Sequence, residues 1–181
     1  MKIILFSGAH GVGKGFFLNK VKENIQQYDV LSASSLIERY QPSTDAGYKK
    51  VKDINSNQDV LIKAIEEAMK KGSKDIILDG HLCIFNAKGE VERIPEYFFH
   101  KTHIVGIVLL HDDPRVICDR ICNRDINHIS VKDLEYMQDE ECKYAMELEE
   151  KHHIKHVIIS HEFTGALFEK ILREIGGDSI E

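Results

Sequence analysis

Apolar residues fall into two alternating patterns along the chain. Continuous runs at 2–6, 76–78, 104–110 and 157–159 read as buried strands, and Val30-Leu31 suggests a shorter one. Between them, apolar positions recur at helical spacing. Phe17, Leu18, Val21 and Ile25 place a helix that opens near Lys14, and Leu36-Ile37 marks the next. Positions 61, 65, 68 and 69 place another over 57–71, stopped by Gly72. Leu134, Met137, Tyr144, Ala145 and Leu148 form a long amphipathic stripe. Leu167, Phe168, Ile171, Leu172 and Ile175 form a closing one, ended by Gly176-Gly177. Asp113-Pro114 supplies an N-cap followed by proline at the first helical position. Ser130 and Asp133 open the long helix, and Pro95 opens a short one.

Residues 82–94 read as an inserted hairpin around Asn86-Ala87-Lys88-Gly89, and 41–56 as a polar irregular stretch. Short apolar strands alternating with longer helices predict a parallel sheet covered on both faces. Five such strands make a three-layer α/β domain.

Composition narrows the classes. A chain of 181 residues favours one domain. A net charge of −6 makes nucleic acid an unlikely partner. The longest clean apolar run, 104–110, falls far short of the ~20 residues of a membrane span. Residues 3–6 are too short for a signal-peptide core. Cys83, Cys118, Cys122 and Cys142 show neither zinc nor paired redox spacing, so reduced thiols in the cytoplasm are expected. Cys118 and Cys122 share one helix face and read as packing residues. His152-His153-x-x-His156 lies among lysines and reads as a solvated cluster rather than a metal site.

Gly8-Ala9-His10-Gly11-Val12-Gly13-Lys14 matches G-x-x-x-x-G-K, the opening of the phosphate-binding loop. A strand ends just before it and a helix starts inside it. Glycines let successive N–H groups turn inward around a phosphate, and the helix N-terminus adds a favourable dipole. Lys14 would contact the β- and γ-phosphates of ATP. The next position departs from the pattern. Gly15 stands where a Ser or Thr hydroxyl normally meets Mg²⁺, and Phe16 follows, so neither position offers an oxygen. The metal is then left to phosphates, water and a carboxylate. Asp79, ending the apolar strand 76–78, is that carboxylate. His81 either touches the acceptor or orients Asp79. Arg120 and Arg124, four apart, share a helix face, and fixed arginines stabilise the charge that spreads over a transferring phosphoryl.

The loop at 8–14, Ile76-Ile77-Leu78-Asp79-Gly80-His81, the glycine-containing hairpin, Asp113-Pro114 and the Arg120/Arg124/Asp125 group occur in this order. In that order the sequence resembles the P-loop nucleoside monophosphate kinases, most closely the archaeal-type adenylate kinases. The resemblance covers nearly the whole chain and implies a P-loop NTPase fold with MgATP as phosphoryl donor. It implies an acceptor-binding insertion at about 32–56, with Ser34 and Arg39 toward the acceptor and Lys49, Lys50 and Lys52 in the following loop. It also implies a lid at about 120–130 carrying Arg120 and Arg124. His161, after the last strand, falls where family members cradle adenine, and joins residues 8–16 as the nucleotide site.

Two other readings stay open: a nucleotide-binding regulatory or interaction protein with little or no transfer, and a kinase acting on a non-nucleotide small molecule. For an alcohol acceptor Asp79 becomes the candidate base. A GTPase is disfavoured because no base-reading Asn-Lys-x-Asp motif follows. Oligomeric state is not legible.

Overall fold

The computed structural model describes residues 1–40, 54–86, 88–124 and 129–177, with Arg124 described by its backbone alone. The chain runs β1 (Ile3–Ser7), α1 (Lys14–Lys20), β2 (Tyr28–Ser32), α2 (Ala33–Tyr40), α3 (Ile54–Lys71) and β3 (Asp75–Asp79). The hairpin β4 (Cys83–Phe85) and β5 (Val91–Arg93) follows, then α4 (Glu96–Thr102), β6 (Ile104–Leu110), α5 (Pro114–Arg124), α6 (Val131–His152), β7 (Lys155–Ile159) and α7 (Gly165–Gly176).

Five strands form one sheet in the order β2-β3-β1-β6-β7, and every pairing in it is parallel. This is the predicted three-layer α/β architecture. The central strand β1 is buried along all five residues, as a parallel strand covered on both faces must be. Its side chains alternate between two cores. Ile3 and Leu5 join Leu61, Ile65, Phe99 and Leu148 on one face; Ile4 and Phe6 join Phe17, Ile117, Phe168 and Leu172 on the other. Register brings Phe6 opposite Asp79 and Ser32 opposite Asp79 from the other side. The carboxyl ends of β1, β2 and β3 therefore lie side by side, the edge where ligands bind in open α/β sheets.

The predicted boundaries shift in two places, and one packing expectation changes. The first helix stops at Lys20, and a 3-10 turn at Lys22–Asn24 replaces the expected continuation to Ile25. The chain must enter β2 at Tyr28, and the tighter turn still buries Ile25. α3 starts at Ile54, which is buried, rather than at Asn57. Cys122 is exposed, so only Cys118 of that pair packs against the core, because their shared face runs off its edge. The expected hairpin forms with Cys83 opposite Arg93, its turn tied by Asn86 Oδ1 accepting the amides of Lys88 and Glu90. Ser130 and Asp133 make a reciprocal capping box at the start of α6. Residues 41–53, with Lys49, Lys50 and Lys52, lie outside the described residues, as does the 125–128 part of the expected lid. Among the described residues no helix is long and apolar enough to cross a membrane.

Candidate active site

The phosphate loop links Ser7 to Lys14. Val12 N–H donates to Ala9 O at 3.1 Å and Phe17 N–H to Gly13 O at 2.9 Å, closing the loop onto the first turn of α1. Ala9 and Val12 are buried while His10 points to solvent. Gly11 and Gly13 hold φ of 83° and 98°, the left-handed region. Space also demands glycine there. A Cβ on Gly11 would lie 2.5 Å from Ile121 Cγ1, and one on Gly13 3.0 Å from His161 Cε1. Gly15 differs, since a Cβ there would meet nothing within 4 Å. Phe16 beside it is 72% exposed.

Lys14 is buried at the centre. Its ammonium donates to Gly8 O at 3.1 Å, lies 3.4 Å from both ring nitrogens of His81, and stands 3.8 Å from Asp79 Oδ1. Burial lowers the lysine pKa, partly offset by Asp79 and then Glu141. Burial likewise raises the Asp79 carboxyl against the opposing pull of Lys14. His81 is held well below the ordinary imidazole range, first by desolvation and then by Lys14 and His10. Its Nδ1 lies 3.0 Å from Gly8 O, which assigns the proton of the neutral ring to Nδ1. His81 thus stands on the root of the phosphate loop beside Asp79.

The outer side of the loop is held by a second cluster. Arg120 Nη1 donates to Val12 O at 3.1 Å and pairs with Asp112 Oδ2 at 2.8 Å. His161 Nε2 lies 2.6 Å from the same carbonyl and 3.7 Å from Asp112 Oδ2. Asp112, two residues past the end of β6, is thus the carboxylate that holds Arg120. Ser34 sits in the first turn of α2, its Oγ 3.1 Å from Ser32 Oγ, and Arg39 lies exposed near that helix's end. A Cβ on Gly80 would come within 3.7 Å of Ala33 Cβ, so α2 starts against the Asp79 turn.

Four residues escaped the sequence reading: Ser7, Asp112, Gln138 and Glu141. Ser7 and Glu141 are fully buried behind the loop, joined Oγ to Oε1 at 2.8 Å. Gln138 holds the backbone of Asp112 at both ends, accepting its N–H at 3.2 Å and donating to its carbonyl at 3.0 Å. One signal was available for the helix pair: Gln138 and Glu141 interrupt the apolar stripe of α6 between Met137 and Tyr144.

Among the described residues no group of three or more His, Cys, Asp or Glu could hold a metal ion. The donor set fits Mg²⁺ in one way: a single part-buried carboxylate, Asp79, beside a loop shaped for phosphates that would supply the remaining oxygens. Of the histidines expected to be solvated, two are part-buried and held by carboxylates. His152 Nε2 pairs with Glu96 at 3.0 Å, and His156 pairs with Glu149.

A strand–loop–helix phosphate cradle, its lysine and a strand-end carboxylate on a five-stranded parallel sheet define a P-loop kinase. Residues 7–138 match the family model described as an AAA domain, and the chain belongs to that family of P-loop proteins. It is similar to an adenylate kinase of Sulfurisphaera tokodaii, 29% identical over 132 residues that cover 66% of this chain and 68% of the relative. Among solved structures, the Deinococcus radiodurans tunicamycin resistance protein shares the fold. Its TM-score is 0.59 at 13% identity, over 96% of this chain and 94% of that one. A gluconokinase from Sinorhizobium meliloti 1021 aligns over 97% of this chain and 90% of its own, at 14% identity and a TM-score of 0.48.

Proposed function

We propose that the protein transfers the γ-phosphoryl of MgATP to a nucleoside monophosphate, in the manner of an adenylate kinase. The observation that carries this reading is that Lys14 and His81 both meet the carbonyl of Gly8, at the root of the glycine loop, with Asp79 Oδ1 3.8 Å from the Lys14 ammonium. The sequence similarity to an adenylate kinase supports the acceptor class.

Lys14 would exchange Gly8 O for a phosphate oxygen and neutralise charge there. Its shortened reach to solvent makes that ammonium a fixed donor rather than a floating one. Asp79 would hold Mg²⁺, which when bound neutralises charge between the β- and γ-phosphates. His81, neutral with Nδ1–H on Gly8 O, would hold the loop's first carbonyl while Lys14 leaves it. Arg120 would have to give up Asp112 to reach the transferring group, and Arg124 would join it from one turn further along α5. Ser34 and Arg39 would face the acceptor, and His161 with Phe16 the nucleoside of the donor. An acceptor that is already a phosphate needs no dedicated base, so positioning and charge neutralisation carry the reaction.

A second reading, a non-nucleotide acceptor, is favoured by one observation. Arg93 is engaged away from the site, by Glu147 at 2.8 Å and Glu140 at 3.1 Å, which leaves few guanidinium groups for a second phosphate. Product analysis with MgATP and a panel of nucleoside monophosphates separates the readings. Formation of a nucleoside diphosphate from one panel member is the expected result. Turnover of none, with ADP still formed in the presence of hydroxyl-bearing metabolites, selects the second reading.

A further inference from the structure

β1 and β3 run hydrogen-bonded until the amide of Gly80 reaches Phe6 O at 3.1 Å. Beyond that rung the chains part: β1 turns into the phosphate loop and β3 into the Asp79–His81 turn. Side chains take over where the backbone ladder ends. Leu82 N–H donates to Ser7 Oγ at 2.8 Å and faces Glu141 Oε1 at 3.3 Å, while Ser7 Oγ–H donates to the same Oε1 at 2.8 Å. One carboxylate oxygen on α6 thus gathers the last residue before the phosphate loop and the first buried amide after the carboxylate turn.

This arrangement is a poor way to gain stability. Glu141 is fully buried, and its Oε2 has no hydrogen-bond partner among the described residues. Burial raises its pKa, against the opposing pull of the Ser7 hydroxyl and the Lys14 ammonium. A carboxyl with one orphaned oxygen costs free energy there that a methionine of similar size would not. Residues that lower stability in this manner concentrate where function requires them. The same face of α6 carries Gln138, which grips Asp112 and through it Arg120.

We propose that Glu141 is a positioning residue that fixes the spacing between the two halves of the site, the phosphate loop rooted at Ser7 and the turn bearing Asp79, so that phosphates and a divalent cation bind as one unit. The inference rests on the kinase reading above and adds to it a part for α6.

The test needs no acceptor. Calorimetric titration with ADP, with and without Mg²⁺, gives the fold gain in affinity that the cation confers. Glu141→Met should fold with a Tm near that of wild type, relief of the buried carboxyl being offset by a Ser7 hydroxyl without its acceptor, and keep its affinity for metal-free ADP. It should lose about tenfold of the Mg²⁺ gain, a mid-range coupling for groups tied through one network. Glu141→Gln retains an acceptor at Oε1 and should keep most of that gain. Asp79→Asn should lose it. A Glu141→Met protein with the full wild-type gain overturns the proposal. So does one that loses metal-free and metal-bound affinity alike, since that describes general support of the loop. Loss of the gain in Glu141→Gln as in Glu141→Met would assign the effect to charge and overturn it too. Those outcomes leave the kinase reading standing, whereas a wild-type protein that binds no ADP removes that reading and this one with it.

Discussion

Replacing Lys14 by alanine should separate binding from stability. In the free protein the ammonium is buried, 9% exposed, and its partners are one carbonyl at 3.1 Å, the His81 ring at 3.4 Å and a carboxylate at 3.8 Å. These contacts do not fully restore what it loses on leaving water, which is why burial lowers its pKa. Removing it relieves that cost and leaves Asp79 at 23% exposure, where water can reach the carboxylate. The two effects oppose each other, so the expected change in stability is within about 1 kcal/mol, or about 2–4 °C in Tm for a domain of this size.

Nucleotide binding has no such offset. Truncating one partner of a buried, hydrogen-bonded charge pair costs about 2–5 kcal/mol, or about 30-fold to a few thousand-fold in Kd. Calorimetric titration with MgADP, beside thermal melts of the same preparations, measures both quantities. Lys14→Met repeats the test with the side-chain volume kept. Binding within about threefold of wild type in either variant would refute the placement of phosphates against Lys14, whatever the melts show.

Three further outcomes are expected. Arg120→Ala should lower kcat by somewhat less than the ~10³-fold of a lone arginine finger, with KM for MgATP little changed; wild-type turnover on a verified acceptor would leave Arg120 as a clamp on Val12 O and nothing more. Gly15→Ser meets open space and adds a hydroxyl in the first turn of α1, so the Mg²⁺ gain in ADP affinity should rise with the fold intact; an unchanged gain means the hydroxyl does not reach the metal. His81 has a folded pKa depressed below its unfolded value, so the native state binds fewer protons and stability falls as pH drops below about 6.5. Urea titrations of wild type and His81→Gln at about pH 5 and pH 7 should show a smaller acid loss in the variant, and equal losses would place the depression elsewhere.

What the sequence disclosed follows from what each signal depends on. Strands buried on both faces appear as unbroken apolar runs, so 2–6, 76–78 and 104–110 fell on β1, β3 and β6. The phosphate loop was legible because its glycines are required locally, by positive φ at Gly11 and Gly13, and such demands leave a contiguous string. Asp79 was legible through its place at the end of an apolar strand. The Asp112–Arg120–His161 cluster was not, because its members come from three segments that meet only when β6 and β7 pair. Arg120 meets what lies beneath its helix face, here Asp112 just past the end of β6. Glu141 was visible as a charge within an apolar stripe, yet its partners, Ser7 and Leu82, lie 134 and 59 residues away.

The distribution of arginines bears on the acceptor. The chain has six. Arg93 lies between Glu140 and Glu147 with its guanidinium 4.9 Å from the Tyr144 ring centre, and Arg173 pairs with Glu169 at 2.7 Å on α7. Arg120 donates to Val12 O on the phosphate loop's outer edge and pairs with Asp112. Arg39 on α2 lies exposed near the helix's end, and Arg115 is exposed on α5. Transfer between two phosphates brings a larger negative charge together than transfer to an alcohol, and the protein must oppose it with fixed cations. Lys14 and a cation on Asp79 can serve the donor, so the acceptor phosphate would fall chiefly to Arg39. Arg39→Ala therefore discriminates where donor-side variants do not. A monophosphate acceptor should show a raised KM for that acceptor and an unchanged KM for MgATP, because the lost contact is made to the acceptor in ground and transition states alike. An uncharged acceptor should show neither change, and in that case the raised carboxyl of Asp79, which favours proton uptake, becomes the group that would take the hydroxyl proton.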